Sequence, residues 1–256
     1  MRWIRMAALY FERTFEYRLR SFLWILIPMA NNLTLILFWT GAQERIDYIT
    51  TYYVLMTVGG LLTTSHVEYE VAENDIKQGE LVNYLTKPIS YYWTNFLGEL
   101  PFRVLQSIYA IILIGIFMFF FRGSITMTLN PIYIPFVVVI FTLAYFISFT
   151  FKLSAAYLSF WFKDIRAFYE FITILSIVFS GAVMPLEWYP AIMRTIAHAF
   201  PFVYTGYYPI VTLLKPLGIF DFLNIIAVQG LWLFVLSLVH HYLWREGIKE
   251  FTAVGR

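Results

Sequence analysis

Cysteine is absent from this 256-residue sequence, and charged residues are scarce. Without cysteine the chain cannot form disulfides, thiolate metal sites or a cysteine nucleophile. Only 13% of the residues are charged, about half the share usual in soluble domains, whereas 60% are apolar and 21% aromatic. A soluble fold of this size could not bury so much apolar surface, so the composition predicts an integral membrane protein.

The scarcity of charge divides the chain into apolar runs that are long enough to cross a bilayer. A helix rises about 1.5 Å per residue, so about 20 residues cross a hydrocarbon core of about 30 Å. We therefore predict an all-α integral membrane fold in which residues 21–256 form a single transmembrane domain. Its six transmembrane helices lie near residues 21–41, 49–66, 99–121, 134–162, 167–186 and 222–244.

A further uncharged window at residues 195–214 could be taken for a seventh span. Pro201 and Pro209 interrupt it, and several tyrosines lie inside it. Proline breaks the hydrogen-bonding pattern of a helix, and tyrosine favours the headgroup level of a bilayer. We therefore interpret residues 182–216 as a broken, re-entrant or interfacial hairpin on the outer side, between spans five and six.

The positions of Lys and Arg predict the orientation. With six spans, thirteen of the 18 basic residues lie on inner segments and four on outer loops. Inner loops carry an excess of Lys and Arg, so both termini are predicted to lie inside. A seventh span would move Arg245, Lys249 and Arg256 outside and weaken this asymmetry.

The first twenty residues have the pattern of an amphipathic helix. At about 100° per residue, most of their charged side chains fall on one face, and Ile4, Ala7, Phe11 and Phe15 fall on the other. This pattern predicts a cytoplasmic helix at residues 1–20 that lies in the membrane interface. A cleavable signal is not expected, because these charged residues precede the first apolar run. The helix would serve either as a general anchor or as a specific docking element.

The longest inner loop, residues 67–98, is acidic, with a net charge of −3 between His66 and Lys87. We predict a charged helix over residues 67–78 that Gly79 ends, and a second helix over residues 80–85. The second helix would expose Leu81, Val82 and Leu85 beside an acidic rim. This arrangement suits contact with a cytoplasmic partner, and a solvated connector is the alternative.

Two segments resemble permeases of the type-2 ATP-binding-cassette exporter class. Residues 75–81 (DIKQGEL) and 84–90 (YLTKPIS) resemble the segment that follows the second span in that class. Residues 180–186 (SGAVMPL), followed by Trp188 and Pro190, resemble the motif before its outer hairpin. The pairs Pro201-Phe202 and Tyr208-Pro209 continue the likeness.

The resemblance implies a defined set of partners. Members pair with a second permease, identical or homologous, and sit on two cytoplasmic ATP-binding subunits, which carry ATP and Mg. The chain itself would then hold no cofactor or metal, and its remaining partner would be the lipid bilayer rather than nucleic acid. The membrane would be the cytoplasmic membrane of a bacterium or archaeon. The resemblance leaves the substrate open, and the aromatic-rich spans would tolerate a hydrophobic, amphipathic or cationic molecule.

The resemblance also assigns candidate site residues by position. The residues that would couple the chain to the ATPase are Glu73, Asp75, Ile76, Gly79, Glu80, Leu81, Leu85, Lys87 and Pro88. The residues that would form an outer gate are Gly181, Pro185, Trp188, Pro190, Pro201 and Pro209.

The sequence lacks a glycine-rich phosphate loop that ends in Lys-Ser or Lys-Thr, so it cannot bind a nucleotide by that route. The energy for transport would come from a separate polypeptide, and the chain would be a transport subunit without catalytic residues. A transporter driven by an ion gradient is the alternative, but it would need ionisable residues in several spans. A membrane-embedded enzyme would need a convergent His, Asp or Ser cluster, which the sequence does not present.

Four polar residues within the predicted spans are candidates for the pathway or for buried pairing: Asn31, Asn32, Lys152 and Glu170. Lys152 could pair with Glu170 or Glu99, extend to the interface, or contact substrate. The asparagines would form interhelical hydrogen bonds or contact substrate. Gly59-Gly60 would allow close helix packing or a kink in the second span. The adjacent His240 and His241 face different sides of a helix, which disfavours joint metal binding.

Overall fold

A computed structural model describes residues 10–12, 18–42, 46–120, 127–162 and 164–252. These residues form helices joined by turns, and no strand occurs among them. The α-helices are α1 Arg18–Ala42, α2 Ile46–Thr63, α3 Val67–Glu70, α4 Val82–Leu85, α5 Tyr91–Phe120, α6 Ile134–Ala156, α7 Arg166–Phe179, α8 Ala191–His198, α9 Phe202–Thr205, α10 Tyr207–Leu214 and α11 Ile219–Glu250. A π-helix, Val71–Lys77, follows α3, and 3₁₀ turns cover Pro131–Tyr133, Tyr157–Phe160 and Leu186–Trp188.

Each predicted span overlaps one of the longer helices, although the fifth, residues 167–186, extends seven residues beyond α7. The prediction of an all-helical fold is confirmed for the described residues. Three helical stretches, Tyr91–Phe119, Pro131–Phe160 and Ile219–Glu250, are long and apolar enough to cross a membrane. Helix α5 begins at Tyr91, eight residues before the predicted third span. Pro101 lies inside this continuous helix rather than near its start. Helix α7 has only 14 residues, fewer than the predicted fifth span, because it ends at Phe179 before a turn that contains Gly181.

Helix α6 lies at the centre of the packing. Its most extensive contact is with α11, and it also contacts α2, α3, α9 and α10. Gln229 in the middle of α11 is fully buried and donates hydrogen bonds to the carbonyls of Ile140 and Tyr204, at 3.1 and 2.9 Å. Because lipid offers no partner for an amide, such bonds hold helices together where the hydrophobic effect does not act between them.

Two apolar cores lie toward opposite ends of α2. One surrounds its first turns and contains Tyr52, Tyr53 and the hairpin residues Val203 and Ile210. The other lies beyond its last turn and joins the loop after α2 to α5, α6 and α7. The candidate coupling segment belongs to the second core, and the candidate outer gate belongs to the first.

The window at residues 195–214 is not a continuous helix, as predicted. It contains α8, α9 and α10, which are separated by a turn at Phe200–Pro201 and by Gly206. Pro190 and Pro201 occupy the N-cap positions of α8 and α9, where a missing amide hydrogen has little cost. Helix α10 packs on α2 so closely that a Cβ on Gly59 would lie 2.5 Å from Ile210 Cδ1, which confirms the close packing predicted there.

The predicted interfacial helix at residues 1–20 lies largely outside the described residues. Residues 10–12 and 18–20 are helical, and the ring of Tyr10 lies 3.8 Å from the position that a Cβ on Gly98 would occupy. Tyr10 therefore lies against α5, one to two turns from the loop that carries the candidate coupling segment.

Candidate coupling segment and polar cavity

The predicted coupling segment, residues 67–98, contains two helical pieces within residues 67–88 that meet at a tight turn, and its last residues belong to α5. Helix α3 continues into the π-helix, and Gly79 ends it with φ +82°, a conformation that favours glycine. The Leu81 amide then donates to the Asp75 carbonyl at 2.9 Å, which folds α4 back on the preceding helix. The predicted pair of helices and the glycine terminus are confirmed, although the last seven residues of the first helix are π-helical rather than α-helical.

The inner side of the coupling segment is apolar. Leu81 is completely buried and Ile76 is buried with it, in a core that includes Tyr91 of α5 and Phe149 and Leu153 of α6. The prediction that Leu81 lies on an exposed patch is therefore wrong. A four-residue helix has no pattern long enough to specify which side faces the rest of the chain, so the sequence alone did not distinguish Leu81 from Leu85.

Asp75 is also buried rather than part of an acidic rim. Its carboxylate accepts a hydrogen bond from the Tyr91 hydroxyl, and only 5% of the residue is exposed. Burial raises the pKa of Asp75 to about 6, because the charged form loses hydration, and the Tyr91 bond offsets only part of this. Asp75 thus anchors the π-helix to the first turn of α5.

The outer side of the segment carries the residues available to a partner. Leu85 is 43% exposed, and Glu80, Lys87 and Pro88 are exposed around it. We call these four residues, with Asn83, the docking surface. Glu73 is half-buried beside it, with Lys77 Nζ at 2.9 Å and Arg166 Nε at 4.0 Å from its carboxylate.

The candidate outer gate is joined to α1 and α2 by hydrogen bonds to its backbone. The hydroxyl of Tyr52 donates to Gly181 O at 2.7 Å, and Trp39 Nε1 donates to Val183 O at 3.1 Å. Gly181 has φ +83°, and a Cβ there would lie 2.8 Å from the Tyr52 hydroxyl. Both conditions require glycine at this position.

The remaining gate residues lie at helix starts and turns. Pro185 and Pro190 are the N-caps of a 3₁₀ turn and of α8, Pro201 is the N-cap of α9, and Pro209 lies in the first turn of α10. Trp188 packs on Trp39 with 5.4 Å between the ring centroids.

An ion pair between Glu187 and Lys215 closes the hairpin across its two ends. The sequence gives no local signal for this pair, because its members lie 28 residues apart, on the two sides of three short helices.

A cavity of about 280 Å³ lies between α1, α2, α6, α7 and α9. Asn31, Asn32 and Lys152 line it, together with hydroxyl side chains that include Ser148 and Ser176. Asn32 also donates to Thr57 Oγ1 at 2.7 Å, which links α1 to α2. Three of the four polar residues singled out in the sequence therefore share one cavity.

The fourth residue, Glu170, does not line that cavity. It is exposed, and one carboxylate oxygen accepts a hydrogen bond from the Tyr69 hydroxyl at 3.3 Å. The predicted partners of Lys152 were wrong, because Lys152 forms an ion pair with Glu68 instead of with Glu170 or Glu99. Glu68 belongs to α3, which packs on α6. The sequence of each span taken separately does not show which helices pack together.

Glu99 takes part in a second buried cluster. Arg103 Nη2 lies 2.6 Å from Glu99 Oε1 and 2.8 Å from His66 Nδ1, and Arg103 Nη1 donates to Leu61 O at 3.2 Å. Tyr145 of α6 donates to the other Glu99 oxygen at 3.1 Å. The i, i+4 spacing of Glu99 and Arg103 is the signal that could have revealed this pair in the sequence.

Groups of three or more His, Asp or Glu side chains that could hold a metal ion do not occur in the described part of the chain. The chemistry of the site therefore lies in its surfaces and its buried polar contacts. It combines a docking surface at one end, a hairpin at the other and a polar cavity between them.

Residues 15–255 match the family described as ABC-2 family transporter protein. The chain belongs to this family. The permease is thus a multi-pass membrane subunit for transport, and membership implies that it works with ATP-binding subunits in a membrane complex. No curated protein matches the sequence significantly.

Proposed function

We propose that the chain is the six-span, N-in and C-in permease subunit of an ATP-driven exporter in a bacterial or archaeal cytoplasmic membrane. Two cytoplasmic ATP-binding subunits supply ATP and Mg²⁺ chemistry, and a second permease, identical or homologous, completes the pathway. The chain carries no catalytic residues in this proposal. It moves a hydrophobic, amphipathic or cationic substrate outward.

Helix lengths support the six-span topology. Helices α1 and α2 have 25 and 18 residues, which correspond to about 37 and 27 Å and bracket the thickness of a hydrocarbon core. Helix α7, at about 21 Å, is too short alone. The hairpin that follows α7 supplies the remaining depth, and its short helices satisfy their own backbone groups where lipid could not.

The proposal depends chiefly on the exposed residues of the docking surface. Leu85 is an exposed aliphatic side chain with charged Glu80 and Lys87 beside it, a combination that suits a groove on a second protein. Leu81, one helical turn before Leu85, lies in the core shared with α5 and α6. Because protein cores are densely packed, a displacement of the docking surface would move the ends of those helices rather than compress the contact.

Movement of these helices would change the shape of the polar cavity, in which the substrate would lie. The cavity is bounded by α6 on one side and by α9 of the hairpin on another, with Lys152 and Phe202 among its lining residues. We propose that the cavity is half of the translocation pathway. ATP binding would draw the nucleotide-binding subunits together, and the hairpin would control access at the outer end.

Co-purification of the ATP-binding subunit tests the proposal. Wild-type permease, tagged and extracted in mild detergent, should bring down an ATPase chain whose activity rises in the complex. Leu85→Asp should lose that association because it places a charge in a desolvated contact, whereas Leu85→Met should retain it. Glu80→Lys should weaken association more than Arg194→Glu, which reverses an exposed charge on α8 of the hairpin.

The proposal fails if the wild-type chain never recovers an ATPase and transport continues after ATP is depleted. Equal association of Leu85→Asp and wild type would leave the transporter assignment intact but remove the docking surface from it.

A further inference from the structure

A second cavity, of about 390 Å³, lies between the coupling segment and the last turns of α11. Tyr91, Tyr157 and Trp244 form an aromatic wall, with ring centroids 4.7 Å apart for Tyr91 and Trp244 and 5.1 Å apart for Tyr157 and Trp244. Lys87 and His241 also line this cavity. It is separate from the polar cavity of the proposed pathway, since the two share no lining residue.

Two buried polar atoms of the lining lack partners. Tyr157 is completely buried, and its hydroxyl has no hydrogen-bond partner among the described residues. The same holds for Nδ1 of His240, whose ring packs at 5.0 Å from the ring of Tyr92. A buried polar group without a partner costs free energy, so a site with two such atoms favours a ligand that offers hydrogen-bonding oxygens.

The lining carries one fixed positive charge, on Lys87, and several groups that can form hydrogen bonds. The twelve lining residues include Lys87, His240 and His241 but no Asp or Glu. Asp75, beyond the aromatic wall, already accepts the Tyr91 hydroxyl and does not line the cavity. Cationic and hydrogen-donating groups without a carboxylate suit an anion with several oxygens, such as a phosphate ester.

The position of the cavity indicates where such a phosphate would come from. The cavity lies at the first turn of α5 and the last turns of α11, so at the ends of two helices that are long and apolar enough to span a membrane. On α11, Phe234 and Leu238 lie seven and three residues before His241 on the same face and are 62% and 57% exposed. Arg245 follows His241 one turn later and is exposed. On this face of α11 the apolar residues Phe234 and Leu238 precede His241 and the basic residue Arg245 follows it. This order is the one expected at the boundary between acyl chains and headgroups.

We propose that this cavity, the headgroup site, binds the phosphate of an anionic phospholipid whose acyl chains lie along Phe234 and Leu238. Lys87 and Arg245 attract the phosphate, and the Tyr157 hydroxyl and the His240 ring hydrogen-bond to it. The site lies against Leu85 and Lys87 of the docking surface, so a bound lipid would brace the coupling segment against α11.

Lipid protection of the purified full-length chain tests the proposal. Thermal unfolding in a neutral detergent is followed while dioctanoyl phosphatidylglycerol, dioctanoyl phosphatidylcholine or inorganic phosphate is titrated. Phosphatidylglycerol should raise the unfolding midpoint at concentrations at least about tenfold below those needed for phosphatidylcholine, and inorganic phosphate should have little effect. Equal protection by both lipids, or protection by inorganic phosphate alone, would overturn the assignment to an anionic lipid.

Variants test whether the stabilisation by phosphatidylglycerol arises at the headgroup site. The double variant Lys87→Gln and Arg245→Gln should weaken protection by phosphatidylglycerol about tenfold, whereas Arg166→Gln with Arg194→Gln removes two charges elsewhere and should not. Tyr157→Phe keeps the ring and removes only the unpartnered hydroxyl, so it should fold without lipid as well as wild type and still bind phosphatidylglycerol several-fold more weakly. Unchanged lipid affinity of Tyr157→Phe, or equal loss in the control double variant, would overturn the site. Because no ATPase is present, these outcomes are independent of the proposed coupling function.

Discussion

Replacing Asp75 by asparagine tests whether the coupling segment is built around a buried carboxyl group. Asparagine has nearly the same shape and can accept the hydrogen bond from Tyr91, so the substitution removes the charge and leaves the contact. The comparison isolates the cost of burying a carboxylate that is only 5% exposed.

The pH dependence follows from the direction of the pKa shift. Burial raises the pKa of Asp75 from 3.8 to about 6 in the folded chain. At a pH below about 4 the carboxyl is protonated in both states and does not oppose folding. Between about pH 4 and 6 the unfolded chain ionises this carboxyl while the folded chain keeps it protonated, so the free energy of unfolding falls over that range and levels off above pH 6. A shift of this size corresponds to about 3 kcal/mol at most, and screening by nearby solvent reduces the expected effect to about 1–2 kcal/mol.

The assay is unfolding of the purified chain in detergent at pH values from 4.5 to 8. Asp75→Asn should be more stable than wild type at pH 8 by about 1–2 kcal/mol, and the difference should shrink toward pH 4.5. Glu80→Gln, which removes an exposed carboxylate from the same segment, should not reproduce this convergence. A difference between Asp75→Asn and wild type that is independent of pH, or a variant less stable throughout, would refute the reasoning.

Three further substitutions give expected outcomes that can be measured in the same unfolding assay. Leu81→Ala should lower the free energy of unfolding by about 2–5 kcal/mol, because it leaves a void in a fully buried position; a loss below 1 kcal/mol would place Leu81 outside the core. Gly181→Ala should cost at least about 1–3 kcal/mol, because alanine is strained at φ +83° and its Cβ would meet Tyr52; unchanged stability would contradict that geometry. Arg103→Met should cost about 3–5 kcal/mol by leaving Glu99 buried and unpaired, and adding Glu99→Gln should restore much of the loss; additive losses in the double variant would show that the two residues are not coupled.

The sequence predicted the helices well where their limits depend on local signals. Charge-free runs located the six longest helices, and Pro201 correctly indicated that the 195–214 window is broken, whereas Pro209 lies inside the first turn of α10 and does not interrupt it. Gly79 was predicted to end the first helix of the coupling segment and does so with a positive φ. These features are local because a proline, a glycine or a run of apolar residues acts on the backbone within a few positions.

The sequence was less informative about which side chains meet. Lys152 was expected to pair with Glu170 or Glu99, and it pairs with Glu68. Asp75 and Leu81 were expected on an exposed surface, and both are buried. Each error concerns a contact between segments distant in the chain or the facing of a short helix.

By itself, the sequence determined that this protein is a helical membrane protein, where its long helices lie and that the 195–214 window is interrupted. Only the tertiary structure decided that the coupling segment presents Leu85 and conceals Leu81, and that Asn31, Asn32 and Lys152 share one cavity. The physical reason is the distance along the chain over which each effect acts. Backbone conformation and solubility in lipid depend on residues close together in the chain, whereas the burial of one side chain depends on which distant helix packs against it.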